Sequence, residues 1–389
     1  MKYRINLSLR TAQHRSNLQI PRMLFAVAAL FVTALPTQTI GAQSNTAEPS
    51  NSTPRTGLIN PDAVVFNPAT GKVYTVDTGR NAVIVNNDAA NTTVTAKVGA
   101  GPVAIAVNST NGRAYIANAG DGTVTVLDGQ SDAVVATVPV GSHPYSIAVN
   151  STTGQVFVSR TFSDQITVID GTTNKPSSIK TGSADLIAVN SKTDTIYLLG
   201  YEGGSITVLN GTSHTFTKTS VGMHAWGIAS DDATGALYIA KTGESKLAVL
   251  GPSASATSMI SVGAVPCALA INARTTSIYV VNYGEDSVTA IDAVSDRPKA
   301  TIPVGRRPEA IAIDPVANLI FVANTHDNSV SVIDGSANRV VATAPAGKNP
   351  YALAVNPVSG KLHVANLDSD SFTVIDIGRA LKEHTSLPR

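Results

Sequence analysis

One short pattern recurs eight times in this chain of 389 residues. It is an apolar run that ends in Asn or Asp, as in VAIAVN, YSIAVN, EAIAID and YALAVN. The closing residues are Asn67, Asn108, Asn150, Asn190, Asp231, Asn272, Asp314 and Asn356, at spacings of 40 to 42 residues. A period of that size constrains the fold more than any other feature. A unit of about 40 residues cannot bury both of its faces alone, so it must stack on copies of itself.

With each closing residue as position zero, the other landmarks fall into place. Seven residues on, an aromatic recurs as Tyr74, Tyr115, Phe157, Tyr197, Tyr238, Tyr279 and Phe321, with His363 in the last unit. His363 thus reads as a packed substitute for an aromatic rather than as a ligand. Twenty residues on comes a turn former in each unit, such as Asn87, Asp128, Asp170 and Asp334. A Gly closes most units: Gly99, Gly141, Gly182, Gly222, Gly263, Gly305 and Gly347.

Each unit holds four β-rich runs divided by turn signals, and none sustains a helical period. Four short strands in about 40 residues make one propeller blade. The fold class is therefore all-β, a β-propeller of four-stranded antiparallel blades, with eight blades and seven as the alternative. The first three strands occur eight times but the fourth only seven. Residues 53–58 are positioned to supply the missing strand and close the ring. The zero-position Asn and Asp read as hairpin turns whose side chains cap their own backbone.

The words YVVN (279–282), FVAN (321–324), SVIDG and TIPVG give the chain a family likeness. It resembles the YVTN-repeat, or YncE-like, β-propeller proteins, and the likeness recurs in every unit across residues 60–377. That resemblance implies the propeller fold and an undefined task, because one fold hosts many functions. A more distant resemblance runs to the eight-bladed haem-binding domain of certain nitrite reductases.

The N-terminus carries Lys2, Arg4, Arg10, Arg15 and Arg22, and no acid occurs before Glu48. The run MLFAVAALFVTAL at 23–35 and the small pair Gly41 and Ala42 follow. This order predicts a secretory signal peptide over 1–42, an uncleaved anchor being the alternative. The run is short for a membrane span, so the mature chain is expected to have none. Residues 43–57 read as a polar linker, 58–377 as the propeller and 378–389 as a tail. The expected location is secreted or periplasmic, as a monomer. Cys267 is the only cysteine, so no internal disulfide is possible.

Net charge is +1 and charged residues are 14% of the chain, with no basic stripe. Nucleic acid is excluded as a partner on that ground. Nothing resembles a nucleophile elbow, a P-loop or a zincin motif, so no catalytic residue, metal ligand or cofactor is assigned.

Candidate binding residues come from positions where the repeat sets no residue type. Five before zero lie Asp62, Val103, Tyr145, Asp185, Trp226, Cys267, Glu309 and Tyr351, expected to ring the channel mouth. Seven before zero lie His143, His224 and Arg307. Ten after zero, four units use Asn, and Arg160 and Lys241 depart from it in what reads as an exposed loop. Trp226, the only Trp, is the sharpest departure, because its flat ring and polar tip suit a ligand or partner.

The expectation is an exported, non-catalytic propeller that takes an unknown small molecule or protein at its mouth. The alternatives are a metal-dependent or lactonase-like propeller enzyme, with His143, Asp185 and His224 or the acids Asp62, Asp185 and Glu309 in play, and a cell-envelope structural module.

Overall fold

The structure is a computed structural model that describes residues 55–56, 61–200, 204–222, 224–251 and 256–385. The signal-peptide segment and most of the linker lie outside the described residues.

Eight four-stranded antiparallel sheets form eight blades, seven of them built from consecutive strands. They span 61–97, 102–139, 144–180, 186–220, 225–261, 266–303 and 308–345. The eighth joins Pro350–Asn356, Lys361–Asn366 and Ser371–Asp376 to a strand from the other end of the chain, Arg55–Thr56. Arg55 pairs with Phe372 and Thr56 with Ser371. The closing strand thus falls where the strand count requires it, inside the segment 43–57 that reads as linker. Closure removes an exposed sheet edge that would otherwise invite pairing with another chain.

Letters a to d run from the innermost to the outermost strand of each blade. Every a strand touches the a strand of the next blade, and Pro350–Asn356 of blade eight touches Pro61–Asn67 of blade one. The hydrophobic core lies between the blades, where alternate side chains of facing sheets meet. Tyr74, Tyr115, Phe157, Tyr197, Tyr238, Tyr279 and Phe321 are among its largest fully buried side chains. His363 joins them at 1% exposure.

Position zero does more than turn its own hairpin. The Asn67 side chain accepts the Ala69 N–H and donates to Gly112 O of the next blade at 2.7 Å. Asn190 donates to Asp231 O, Asn272 to Asn318 Oδ1 and Asn356 to Gly71 O in the same way. The face formed by the a–b and c–d turns is therefore sewn from blade to blade.

The C-terminal tail is not a plain extension. Ile377–Thr385 forms a helix, and the Asp376 carboxylate accepts the Arg379 N–H at its start. Ala380 and Leu381 pack on the core of the last two blades. Among the described residues no helix is long and apolar enough to cross a membrane.

Candidate functional site

The opposite face carries the d–a and b–c connections and holds all the candidate residues. The residue five before zero sits at a β-bulge in most blades. In blade eight, Pro350 pairs with Asn366 and Ala352 with Ala365, so Tyr351 is the extra residue. Equivalent register breaks occur in every blade but the fourth. A bulge re-aims a side chain and ends regular pairing. In seven blades the residue five before zero is thereby set off the regular alternation of strand a.

The ring is uneven in chemistry. Tyr145, Asp185, Trp226 and Glu309 are half-buried, whereas Cys267 and Tyr351 are buried. The Asp62 side chain lies outside the described ones. Burial, and then the charge of Asp185, push the Tyr145 hydroxyl up to about 12. Trp226 packs against the apolar cluster that holds Cys267, Tyr279 and Tyr283.

Glu309 is the carboxyl on this face held well above its ordinary value. Burial raises its carboxyl to about 7, against the pull of Arg307 and a hydrogen bond from Thr325. The Arg307 guanidinium lies 5.8 Å from the centre of the Tyr283 ring. Burial and then Glu309 push the Cys267 thiol up to about 12, so this cysteine is a packed group and not a thiolate.

Six of the residues seven before zero share a backbone conformation, and Ser183 of blade four does not. Gly101, His143, His224, Val265, Arg307 and Asn349 all have φ between 50° and 59°. The repeat thus dictates the left-handed backbone here, though not the side chain, and His143, His224 and Arg307 are exposed on it.

Position ten after zero corrects the sequence reading. It is the end of strand b, and Asp77, Asn118, Lys241, Asn282, Asn324 and Asn366 are all buried there. The Asn side chains are clasps. Asn118 Nδ2 donates to the hydroxyls of Thr123 and Thr125, and Asn324 Nδ2 to those of Ser329 and Ser331. Asn282 and Asn366 do the same in blades six and eight.

The unit-closing Gly lies against this clasp. A Cβ on Gly99, Gly263, Gly305 or Gly347 would come within 2.5 to 2.7 Å of the Asn side chain. The recurring Gly is therefore a packing requirement. The signal was in the sequence, because blades with Asn at this position also carry Ser or Thr five and seven residues later.

Lys241 is likewise no exposed loop residue. Its side chain is 1% exposed, and its ammonium donates to Val221 O at 2.6 Å and pairs with Glu244. Blade five has Lys246 and Ala248 where the clasp hydroxyls would be, so the ammonium makes its own bonds instead. Asp77 of blade one turns to the Arg80 N–H. Arg160 is half-buried.

The structure thus groups Tyr145 with Asp185, and Glu309 with Arg307, Tyr283 and Cys267. It does not gather His143, Asp185 and His224 into a metal site. Among the described residues no three His, Cys, Asp or Glu side chains converge as metal ligands.

No family model matches the chain. No curated protein matches it either. Solved structures do. Sqt1 of Saccharomyces cerevisiae superposes with a TM-score of 0.71 at 11% identity, over 84% of this chain and 98% of that one. Hydrazine synthase of Kuenenia stuttgartiensis gives 0.57 at 16% identity, over 86% and 99%. The dihydro-heme d1 dehydrogenase NirN in complex with DHE gives 0.62 at 12% identity, over 75% of this chain and 67% of that one. At such identities the likeness is one of fold alone.

Proposed function

We propose that the chain is an exported propeller of the YVTN-repeat kind that binds a small molecule or a protein partner through its loop face, without catalysis. The observation that carries this is the contrast in side-chain use between the faces. Position-zero Asn side chains on the turn face bond the neighbouring blade, whereas the loop face carries half-buried Tyr145, Asp185, Trp226 and Glu309. Loops on a rigid scaffold are the usual place for recognition. Export is the reading of the N-terminal basic and apolar order.

The test uses the only Trp. A small-molecule library screened by intrinsic fluorescence should yield compounds that change Trp226 emission. Trp226→Ala and Tyr145→Ala should weaken those compounds, by about tenfold or more for a true aromatic anchor. Hits that bind both variants unchanged remove the loop face from consideration.

The second reading, a propeller enzyme, rests on Glu309. A carboxyl held at about 7 beside Arg307 is tuned for proton transfer near neutral pH. Turnover of a lactone or ester panel that vanishes in Glu309→Gln would favour it.

A further inference from the structure

Three side chains depart from the clasp position in blades one, three and five: Asp77, Arg160 and Lys241. Two of them find partners inside the fold. The Asp77 carboxylate accepts the Arg80 N–H at 3.1 Å. Lys241 donates to a carbonyl and pairs with Glu244.

Arg160 is different. Among the described residues it forms no ion pair, its side chain donates no hydrogen bond, and its Nε is buried without an acceptor. The guanidinium lies across Gly141, where a Cβ would run into Nη1. A buried donor left unmatched is costly, and a guanidinium is built to take two oxygens of one anion at once.

The loop that follows Arg160 is irregular as well. In the other blades the left-handed residue of the b–c loop falls fourteen after zero, at Asn81, Gly122, Gly204, Ser245, Asp286, Asn328 and Asp370. These are glycine or short polar residues, most of which tolerate that conformation. Blade three moves it two residues earlier, onto Phe162 at φ 61°. Phe162 is also 100% exposed. A bulky residue held left-handed with its ring in solvent is a strained arrangement of the kind found at ligand sites.

His143 borders the same spot, because the Thr161 N–H donates to its carbonyl at 3.0 Å. Its imidazole is exposed, and half-buried Tyr145 follows two residues on. Among the described residues no carboxylate is hydrogen-bonded or paired to this guanidinium.

We propose that this corner of the mouth is an anion site, in which Arg160 takes the carboxylate or phosphate group of a ring-bearing ligand and Phe162 stacks on the ring. The proposal deepens the loop-face reading and rests on it.

The test is an NMR titration of the whole mature chain with benzoate, phenyl phosphate and inorganic phosphate, with benzylammonium as the charge-reversed control. The Arg160 Nε–H resonance is identified by its loss in Arg160→Asn. That variant restores the residue other blades use, and Thr167 is in place to accept from it, so it should melt at or above the parent temperature. Ring-bearing anions should shift the resonance saturably and bind Arg160→Asn roughly tenfold more weakly or not at all. Phe162→Gly should bring phenyl phosphate down to the affinity of inorganic phosphate. A response to benzoate alone assigns a carboxylate ligand and a response to phenyl phosphate alone a phosphate; either supports the site.

The proposal is overturned if none of the anions moves Arg160, if Arg160→Asn binds them unchanged, or if benzylammonium binds equally well. Should library compounds still perturb Trp226 in that event, the loop-face reading survives and the anion site alone is lost. Should neither residue respond to any compound, both fall.

Discussion

Two carboxyl groups on opposite faces of the ring are held in opposite ways. On the turn face, Asp88 of blade one reaches into blade eight, with its side chain 6% exposed. It accepts from Asn356 Nδ2 at 2.8 Å and Ser359 Oγ at 2.8 Å, and meets His363 Nε2 at 3.1 Å. Burial alone would raise its carboxyl, but the bond and charge of His363, with Ser359 and Asn356, outweigh it and hold it at about 2. On the mouth face, Glu309 is raised by burial to about 7, because Arg307 and Thr325 do not make up for the lost water. The Asp88 carboxylate is matched within the fold. The Glu309 carboxyl is not, and on the same face the Arg160 Nε is buried without an acceptor among the described residues.

The largest expected effect lies at the Asp88 seam. Asp88→Ala leaves three buried or half-buried donors without their acceptor and should cost about 3 kcal/mol in denaturant unfolding. His363→Phe should cost less, since Asp88 keeps the Asn356 and Ser359 donors when the imidazole is gone. A small loss for Asp88→Ala would erase the contrast between the faces.

Next comes the clasp. Gly305→Ala forces a Cβ into the Asn324 side chain and should cost about 2 kcal/mol. Adding Asn324→Gly should recover part of that loss, since the three atoms nearest the new Cβ all belong to the Asn324 side chain. If the double variant is additive, the Gly does not pack on the Asn.

The pH dependence sharpens the comparison, because the two signs differ. Asp88 has a folded value below its ordinary 3.8, so its contribution is complete above about pH 4 and is lost as pH falls towards 2. Glu309 has a folded value above its ordinary 4.5. Between pH 4.5 and 7 its unfolded carboxyl releases a proton that the folded one keeps, so stability falls across that window and stays lower above it. Glu309→Gln should therefore be nearly neutral at pH 4 and stabilise by about 1 kcal/mol at pH 8, a value discounted for partial exposure. Melting curves of parent and variant at the two pH values decide it.

The smallest effect is expected for Arg160→Asn, within about 0.5 kcal/mol of the parent or slightly stabilising. A loss of several kcal/mol would mean that the guanidinium is a structural group like Lys241.

Much of this was legible beforehand. The blade count, the closing strand and the buried place of His363 follow from period and strand count, because packing repeats when the unit repeats. The Asn clasp was legible too, in the pairing of Asn118 with Thr123 and Thr125, yet its place at a strand end reads as loop until strand b is seen to run on to it. The blade-to-blade half of position zero was not legible. It depends on which carbonyl of the next turn faces Asn67, which spacing along one chain does not fix. The isolation of Arg160 beside the well-paired Lys241 is likewise a matter of neighbours distant in sequence.

The central claim is that the mouth face, and not the turn face, is the binding surface. The rings themselves report on it. Trp226, His143 and His224 stand on the mouth face, and His214 stands in a c–d turn on the other. Their indole and imidazole resonances can be followed together while a compound library is added to the mature chain. The account predicts that binding compounds move Trp226, His143 or His224 and leave His214 still. Compounds that move His214 while all three mouth residues stay silent would contradict it.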